Sequence, residues 1–562
     1  MVKLEEVIRK FVLKNAHDYG KANPGAVVGK VIAEFPGAKK NMKDTMKQIN
    51  LIIEEVSTLS PEAIEKEMKK YEFVEKKEEE KELEVPDAVE GKVVTRFPPE
   101  PSGYPHIGHA KAAFLDYEIA RKYKGKMILR FDDTNPEKES EEYVNAIKSG
   151  LRWLGIKWEE ETYTSDNMKK IYKYAEKLIG DDKAYVCTCP KDDISKMRTE
   201  SKPCPCRKNE KKENMKRWKG MHKGEYKEGE AVLLFKGNLK SLNTVMRDPS
   251  LARLILKKHF RQDEKYKVWP SYDLAVVAMD HLEGITHPMR SKEYELRDEL
   301  YYALFDALKL KKPKMISFSR LAIKNAPVSK RLLLPLVKTK KVWGWDDPRL
   351  PTLEGLKKRG ILPDAIKDFV LSFGLSKVES EPTWDALLSE NRKLLDPISK
   401  RYFFVSDPVS LNIKNALPQL VRLRLHPKKG MGYHETAVKN KVYISKKDAD
   451  DISVGDSFRL KDLYDVKLWE KGNELIGEYA GNEILPKKVQ WVSEEYVETE
   501  ILVPDDLFKD DKYNENSMKI VKGYSENDCK RLGEGEVIQF ERFGFCRLDK
   551  MENNKLVFVY SS

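Results

Sequence analysis

Arg96-Phe97-Pro98-Pro99-Glu100-Pro101-Ser102-Gly103-Tyr104-Pro105-His106-Ile107-Gly108-His109 is the stretch that decides the fold. Ahead of it, Lys92 to Phe97 has the β-branched and aromatic content of a strand. Behind it, Ala110 to Tyr123 sets Ala110, Ala113, Phe114, Tyr117 and Ala120 on one helical face, with Gly125 just past the end. Met127 to Phe131 is a second strand. Strand, helix and strand in that order predict a βαβ unit of a parallel sheet, with a loop shaped by proline and glycine between the first strand and the helix. Ligands of such sheets bind beyond the carboxyl ends of the strands, where a helix start offers free N–H groups and positive dipole to phosphate. The loop therefore reads as a nucleotide site. Gly108 would let the backbone approach the nucleotide, and His106 and His109 can donate hydrogen bonds to α-phosphate oxygens as they gain charge.

A second basic loop fits the same ligand. Ser317-Phe318-Ser319-Arg320-Leu321 and Ala326-Pro327-Val328-Ser329-Lys330-Arg331 place cations among small residues and proline, a composition that could close over a triphosphate. Lys330 would then neutralise the departing pyrophosphate. Alone, such a loop reads as solvated surface; beside the first loop it reads as its counterpart.

Working outward, residues 1 to about 75 read as short amphipathic helices, for example Leu4 to Leu13 and Ala63 to Tyr71, with a turn at Lys21-Ala22-Asn23-Pro24-Gly25. The Lys and Glu run from Glu75 to Glu84 lacks apolar anchors and is a linker or an exposed helix end. Residues 336–392 are again helical. From about Asp396 the pattern turns to strands, such as Lys441 to Ile444, Val489 to Val492, Val537 to Phe540 and Leu556 to Tyr560, which predict β-barrel-like domains.

At 562 residues the chain is too long for one core, and several domains are expected. Met1-Val2-Lys3-Leu4-Glu5-Glu6 is acidic where a signal peptide would turn apolar, and no apolar run reaches the length of a membrane span. A cytoplasmic protein with no membrane contact is the expectation. The excess of 104 Lys and Arg over 92 Asp and Glu, a net charge of +12, suits a polyanionic partner, although a charged fraction of 35% equally suits a heat-adapted surface.

These motifs carry a resemblance. His106-Ile107-Gly108-His109 and Val328-Ser329-Lys330-Arg331 resemble the two signatures of class I aminoacyl-tRNA synthetases, the second with Val for the usual Met and Arg for the final Ser. Thr95 to Pro101, Leu129-Arg130-Phe131-Asp132-Asp133-Thr134-Asn135-Pro136, Glu283-Gly284-Ile285-Thr286-His287 and Gly344-Trp345-Asp346-Asp347-Pro348-Arg349 resemble the glutamyl/glutaminyl branch in its archaeal and eukaryotic style. The likeness runs from about residue 90 to the end. It implies a multidomain α/β protein: a Rossmann-like parallel-sheet catalytic domain at 88–335 with an acceptor-stem insertion at about 187–243, a helical connector at 336–392 and β-barrel anticodon-binding domains at 393–562, preceded by the helical domain and linker at 1–87. It implies ATP and Mg²⁺, catalytic roles for His106, Gly108, His109, Ser329 and Lys330, and an ATP site at Pro99, Glu100, Arg320 and Leu321.

The side-chain pocket separates the two amino acids. A carboxylate in a pocket needs a fixed cation, because an unpaired buried charge costs several kcal/mol, whereas an amide does not. In Pro288-Met289-Arg290-Ser291, glutamyl enzymes resemble this chain in having Arg, where glutaminyl enzymes carry a small neutral residue. The bland reading puts Arg290 at the start of a helix from Ser291 to Leu304, as a surface partner of Glu293. By the same resemblance Arg96 and Tyr272 line the amino-acid site, and Asp132 pairs with the α-ammonium or the incoming ribose. The implied reaction is activation of L-glutamate to glutamyl-adenylate and transfer to the 3′-terminal adenosine of tRNA-Glu, with tRNA-Gln an open second acceptor and the glutaminyl enzyme the alternative. The oligomeric state stays open, a monomer being the default.

Six cysteines are present, and Cys187-Thr188-Cys189, fourteen residues, then Cys204-Pro205-Cys206 gathers four of them. Four thiolates so close suit a structural tetrahedral Zn²⁺, although one-residue spacings are tighter than the commonest knuckles. Cys529 and Cys546 read as interior residues. The basic stretches Arg207-Lys208, Lys211-Lys212 and Lys216-Arg217-Trp218-Lys219 lie where an acceptor end would dock and would contact phosphates. In the tail, Arg401-Tyr402-Phe403-Phe404 joins a guanidinium to aromatic faces suited to splayed anticodon bases, or else is a buried strand.

Overall fold

The computed structural model describes residues 3–19, 22–71, 83–472 and 474–562. Most of the predicted charged linker, residues 75–82, and Lys21 of the predicted turn lie outside the described residues. The chain forms two compact units, Met1–Glu80 and Lys81–Ser562.

The first unit is helical: α1 (Leu4–Tyr19), α2 (Pro24–Glu34), α3 (Met42–Ser57) and α4 (Pro61–Met68). Asn23 and Ser60 accept main-chain N–H groups at the starts of α2 and α4, each just ahead of a proline whose missing N–H costs nothing there. Helix α1 runs past its predicted end at Leu13 because Leu13 and Ala16 continue its buried stripe of Val7, Ile8 and Val12 against Val27, Val31, Ile49, Ile52 and Val56.

The second unit begins with the predicted βαβ unit: β1 (Val94–Phe97), α5 (Ile107–Lys122) and β2 (Lys126–Phe131), followed by α6 (Glu141–Trp153) and β3 (Glu160–Tyr163). β1, β2 and β3 are parallel, with Arg96 opposite Ile128 and Arg130 opposite Thr162. Gly125 at the α5–β2 turn is required by space, since a Cβ there would stand 2.0 Å from the Val93 carbonyl oxygen. The chain continues through α7 (Met168–Gly180), β4 (Ala184–Cys187), α8 (Lys191–Thr199), α9 (Lys211–Lys223), β5 (Val232–Phe235), β6 (Ser250–Leu254), β7 (Val268–Pro270), α10 (Tyr272–Leu282), β8 (Met289–Ser291), α11 (Asp298–Leu308) and β9 (Ile316–Phe318). β4 to β7 form an antiparallel sheet that carries the clustered cysteines at its end. β8 and β9 pair in parallel beside β1, where Thr286 and His287 donate main-chain N–H groups to the Val94 carbonyl.

The chain continues through α12 (Lys330–Lys338), which starts in the second basic loop, and then α13 (Leu353–Arg359), α14 (Pro363–Leu371) and α15 (Trp384–Leu395) in and around the predicted connector. Helix α5 is buried on nearly all sides, not on the one predicted face alone. Ile366, Phe369 and Val370 of α14 share a core with Ala110, Ala113 and Phe114, while Leu115 and Ile119 pack on Met289, Ile316 and Phe318. The connector also holds the first loop directly, with Ile107 N–H bonded to the Pro351 carbonyl and Leu353 N–H to the Pro105 carbonyl.

The tail holds two separate two-stranded sheets, Gln419–Arg424 with Tyr433–Val438 and Phe508–Lys509 with Lys512–Tyr513, and is built on two seven-stranded sheets. In one, the edge strands are Arg401–Tyr402 and Phe404–Ser406; in the other, Lys488–Val489 and Val492–Ser493. Edges so close in sequence can lie at opposite ends of one sheet only if it curls back on itself, so each is a barrel. The predicted strand from Val489 to Val492 is accordingly split in two, because Gln490 and Trp491 turn the corner.

Candidate active site

A cavity of about 500 Å³ opens at the carboxyl end of β1. It gathers residues from both loops: Pro99, Glu100, His106, Gly108 and His109 from the first, Arg320, Leu321, Ser329 and Lys330 from the second, with Arg96, Tyr272 and Arg290 at its inner end. Of the residues expected at the nucleotide and amino acid, Asp132 alone is absent from its wall. Asp132 sits one residue beyond β2, where its Oδ1 accepts from Arg130 Nε at 3.1 Å and Thr164 Oγ1 at 3.0 Å.

The two histidines are fixed by the helix start they form. His106 caps α5, its Nδ1 accepting from Gly108 N at 3.1 Å, while His109 Nδ1 accepts from His106 N at 3.2 Å. With both Nδ1 atoms used as acceptors, each neutral ring carries its proton on Nε2. Burial lowers both pKa values, His106 well below the ordinary range, helped by His109 and Arg320, and His109 to about 4. In the free protein the pair therefore offers neutral N–H donors, and the fixed positive charge of the second loop lies on Lys330 and Arg320. Lys330 begins α12, donates to the Ser102 carbonyl and lies 4.5 Å from the centre of the Tyr143 ring. Tyr104 of the first loop stacks on Trp345 of the connector with ring centres 5.3 Å apart, closing that end.

The inner end is a buried charge cluster. Asp280 accepts from Arg96 Nε at 3.1 Å and Tyr301 Oη at 2.7 Å, and pairs with Arg130 Nη1 at 2.9 Å. Burial alone would push its pKa up, but the arginines outweigh this and hold it below the usual carboxylate range. Arg96 Nη1 donates to the Met289 carbonyl at 2.8 Å. Arg290 is on β8, not at a helix start. The predicted helix from Ser291 is instead a 3-10 segment, Lys292–Arg297, followed by α11, because Ser291 still pairs with Phe318 in the sheet. Its guanidinium, 3% exposed, lies 4.2 Å from the Tyr301 ring centre and 5.4 Å from that of Tyr272. Among the described residues the acid within 4 Å of it is Asp298, at 3.6 Å, with Asp273 and Asp280 farther off. Arg290 Nε and Nη2 and Arg96 Nη2 are buried with no hydrogen-bond partner. Such donors cost ~1–3 kcal/mol each unless something accepts from them. The walls are therefore built for an anion that the free protein does not itself supply.

Sequence reasoning missed Asp280 and Asp116, although both are acids inside apolar helical runs, Leu274-Ala275-Val276-Val277-Ala278-Met279-Asp280 and Ala112-Ala113-Phe114-Leu115-Asp116. A charge where periodicity demands core was the available signal. Tyr294, which also lines the cavity, had no such mark.

The four clustered cysteines meet. Cys204 Sγ lies 3.2 Å from Cys187 Sγ and 3.4 Å from Cys189 Sγ, and Cys189 to Cys206 is 3.9 Å. All four sulfurs lie within 4.8 Å of one another. A tetrahedron with zinc–sulfur bonds of ~2.3 Å has edges of roughly 3.8 Å, so the set fits that ion. Burial raises the Cys206 thiol, but the Thr188 main-chain N–H and the Arg217 guanidinium outweigh it and hold the group at about 7. Cys529 and Cys546 are interior.

Two RNA-facing expectations change. Arg217 is committed to Glu213, Thr188 and Cys206, Arg207 to Asp248, and Trp218 is core, so only the lysines of that stretch, Lys208, Lys211, Lys212, Lys216 and Lys219, are exposed. Tyr402, Phe403 and Phe404 are buried, because their strands close the first barrel, and their rings cannot stack on bases. Arg401 stays partly exposed, with Nη2 on Asp396 at 2.8 Å.

Comparison with known proteins agrees with this architecture. The family model described as tRNA synthetases class I (E and Q), catalytic domain, matches residues 92–397, and two models of the same family's anti-codon binding domain match 399–480 and 488–549. Glutamate–tRNA ligase of Nitrosopumilus maritimus is 44% identical, covering 99% of both chains. The proteins of that name from Cenarchaeum symbiosum and Pyrococcus furiosus are 41% and 39% identical, covering 98% and 100% of both chains. This chain belongs to the class I tRNA synthetases of the E and Q branch.

Proposed function

We propose that the protein activates L-glutamate with ATP and transfers it to the 3′-terminal adenosine of tRNA-Glu. The observation that carries this reading is the buried guanidinium of Arg290, whose Nε and Nη2 have no hydrogen-bond partner, seconded by the free Nη2 of Arg96: two cations for a substrate with two carboxylates. The first step is in-line attack of the ionised α-carboxylate on the α-phosphorus of ATP, releasing pyrophosphate. No general base is required, so positioning and charge stabilisation supply the rate. His106 and His109 donate through Nε2 to the α-phosphate, while Lys330 and Arg320 take the leaving pyrophosphate, with Ser329 at the start of α12. Pro99, Glu100, Gly108 and Leu321 shape the nucleotide wall. Tyr272 walls the amino acid, and Asp132, just behind it, is assigned to the α-ammonium or the ribose. A ribose hydroxyl of the tRNA then attacks the mixed anhydride and AMP leaves.

Mg²⁺ bound to the substrate ATP would supply charge neutralisation at the triphosphate beside Lys330 and Arg320. Among the described residues the one group able to hold a metal is the cysteine set, which we assign to structural zinc. Purified protein should contain one zinc per chain by metal analysis. Cys204→Ser should lose it and make residues 188–206 cleavable by protease at least about tenfold faster, because metal binding there is folding free energy. Unchanged metal content or cleavage would refute the assignment.

Residues 88–335 are assigned to catalysis, 187–243 to acceptor-end docking through the exposed lysines, 336–392 to the connector and 393–562 to anticodon binding. Arg401 is assigned to a tRNA phosphate. A monomer is the state we assign. We assign the protein to the cytoplasm; no helix among the described residues is long and apolar enough to cross a membrane. The test is charging of purified tRNA-Glu and tRNA-Gln with labelled glutamate and glutamine. Glutamate on tRNA-Glu is the expected product, and its appearance on tRNA-Gln as well would widen the acceptor range. Glutamine on tRNA-Gln, without glutamate transfer, would overturn the reading.

A further inference from the structure

We propose that Asp116 is a specificity-determining residue of the amino-acid pocket, presenting a carboxylic-acid O–H to the substrate's side-chain carboxylate beside Arg290. This rests on the function proposed above. The case begins with the geometry of α5. Gly108, Ala112 and Asp116 recur every four residues, and all three line the cavity. At a rise of 1.5 Å per residue, Asp116 stands roughly 12 Å along the helix from Gly108. The phosphate-facing start of the helix is thus at one end of the stripe and Asp116 is at the other, among Arg96, Met289 and Arg290. Ala112 between them is small enough to leave room for the body of an amino acid.

The carboxyl of Asp116 is 1% exposed, and its Oδ1 has no hydrogen-bond partner. The charged groups that face it are Arg96 on β1, Arg130 on β2 and Asp280 on α10, with Arg290 of β8 on the same cavity wall. Asp280 already takes Arg96 Nε and Arg130 Nη1, which leaves Asp116 without a cation of its own. Burial pushes its pKa well above the usual carboxylate range, and Arg96 offsets only part of this. Asp116 is therefore a neutral acid with one unpartnered oxygen, on the wall of a cavity whose other buried groups without a partner, Arg96 Nη2 and Arg290 Nε and Nη2, are all donors. As an acid it adds one more donor for a carboxylate. As an anion it would repel that carboxylate and instead suit the NH₂ of an amide.

The expected sign follows. The substrate side chain, with a pKa near ~4.3, is ionised throughout the working range. As pH rises and Asp116 loses its proton, affinity for glutamate should fall.

The test is the KM for glutamate in ATP–pyrophosphate exchange, with tRNA present, from pH 6.5 to 9 for the wild type, Asp116→Ala and Asp116→Asn. The wild-type KM should climb with pH, approaching about tenfold per unit above the pKa of the acid. Asp116→Ala should raise KM about tenfold or more at low pH, with a smaller change in kcat. Asp116→Asn, a fixed neutral donor of the same shape, should rescue that loss and show no climb. The inference is overturned if Asn fails to rescue Ala, if the wild-type and Asn profiles run parallel, or if both variants lower kcat and thermal stability at unchanged KM, as a purely structural residue would. Absence of glutamate-dependent exchange in the wild type at any pH would sink the functional reading itself, a separate outcome.

Discussion

Arg290→Cys is expected to raise the KM for glutamate in ATP–pyrophosphate exchange, with tRNA present, by two decades or more, while kcat falls far less. The guanidinium is almost wholly buried, its Nε and Nη2 have no partner, and Asp298 at 3.6 Å is too far for a good hydrogen bond. A γ-carboxylate bound there would gain a forked, charge-assisted pair. Removing the cation leaves the carboxylate buried and unpaired, at a cost of ~3–5 kcal/mol. Glutamine carries no such charge, so its relative efficiency should rise. Arg290→Lys should recover part of the loss only, since an ammonium cannot reproduce the planar fork. Kinetics with both amino acids check this. A glutamate KM within about threefold of wild type in Arg290→Cys would remove Arg290 from the pocket.

Lys330→Ala should act on the other parameter. It should lower kcat for exchange by about 10²–10³ and leave the KM for glutamate within about threefold, the signature of an interaction made as charge develops on the leaving pyrophosphate. In the free protein Lys330 is parked on the Ser102 carbonyl over the Tyr143 ring. It must exchange that neutral carbonyl for phosphate oxygens, which costs little because the carbonyl lies on the cavity wall. The histidines cannot replace it, being neutral at working pH.

What could be read in advance follows from where information is local. The βαβ unit was legible because helix and strand periods switch sharply at Arg96 and Met127, and the His106–His109 loop because proline and glycine bracket it. The second loop and the β-rich tail were legible in kind. The split at Gln490 and Trp491 was not, since closing a barrel depends on partners far along the chain. Arg290 was found as a residue but placed on the wrong element: Ser291 to Leu304 has helical content, and only pairing with Phe318, distant in sequence, holds its start in the sheet. The burial of Tyr402, Phe403 and Phe404, the commitment of Arg207 and Arg217, and the engagement of Asp132 by Arg130 are likewise products of packing. Asp116 and Asp280 stood in view as acids in apolar runs, but the arginines that explain them come from other strands.

The most direct measurement is a crystal structure with a non-hydrolysable analogue of glutamyl-adenylate. The substrate's γ-carboxylate should lie within hydrogen-bond distance, roughly 3 Å, of Arg290 Nε or Nη2. A side-chain carboxylate bound elsewhere, with that guanidinium turned away from it, would contradict the assignment of glutamate.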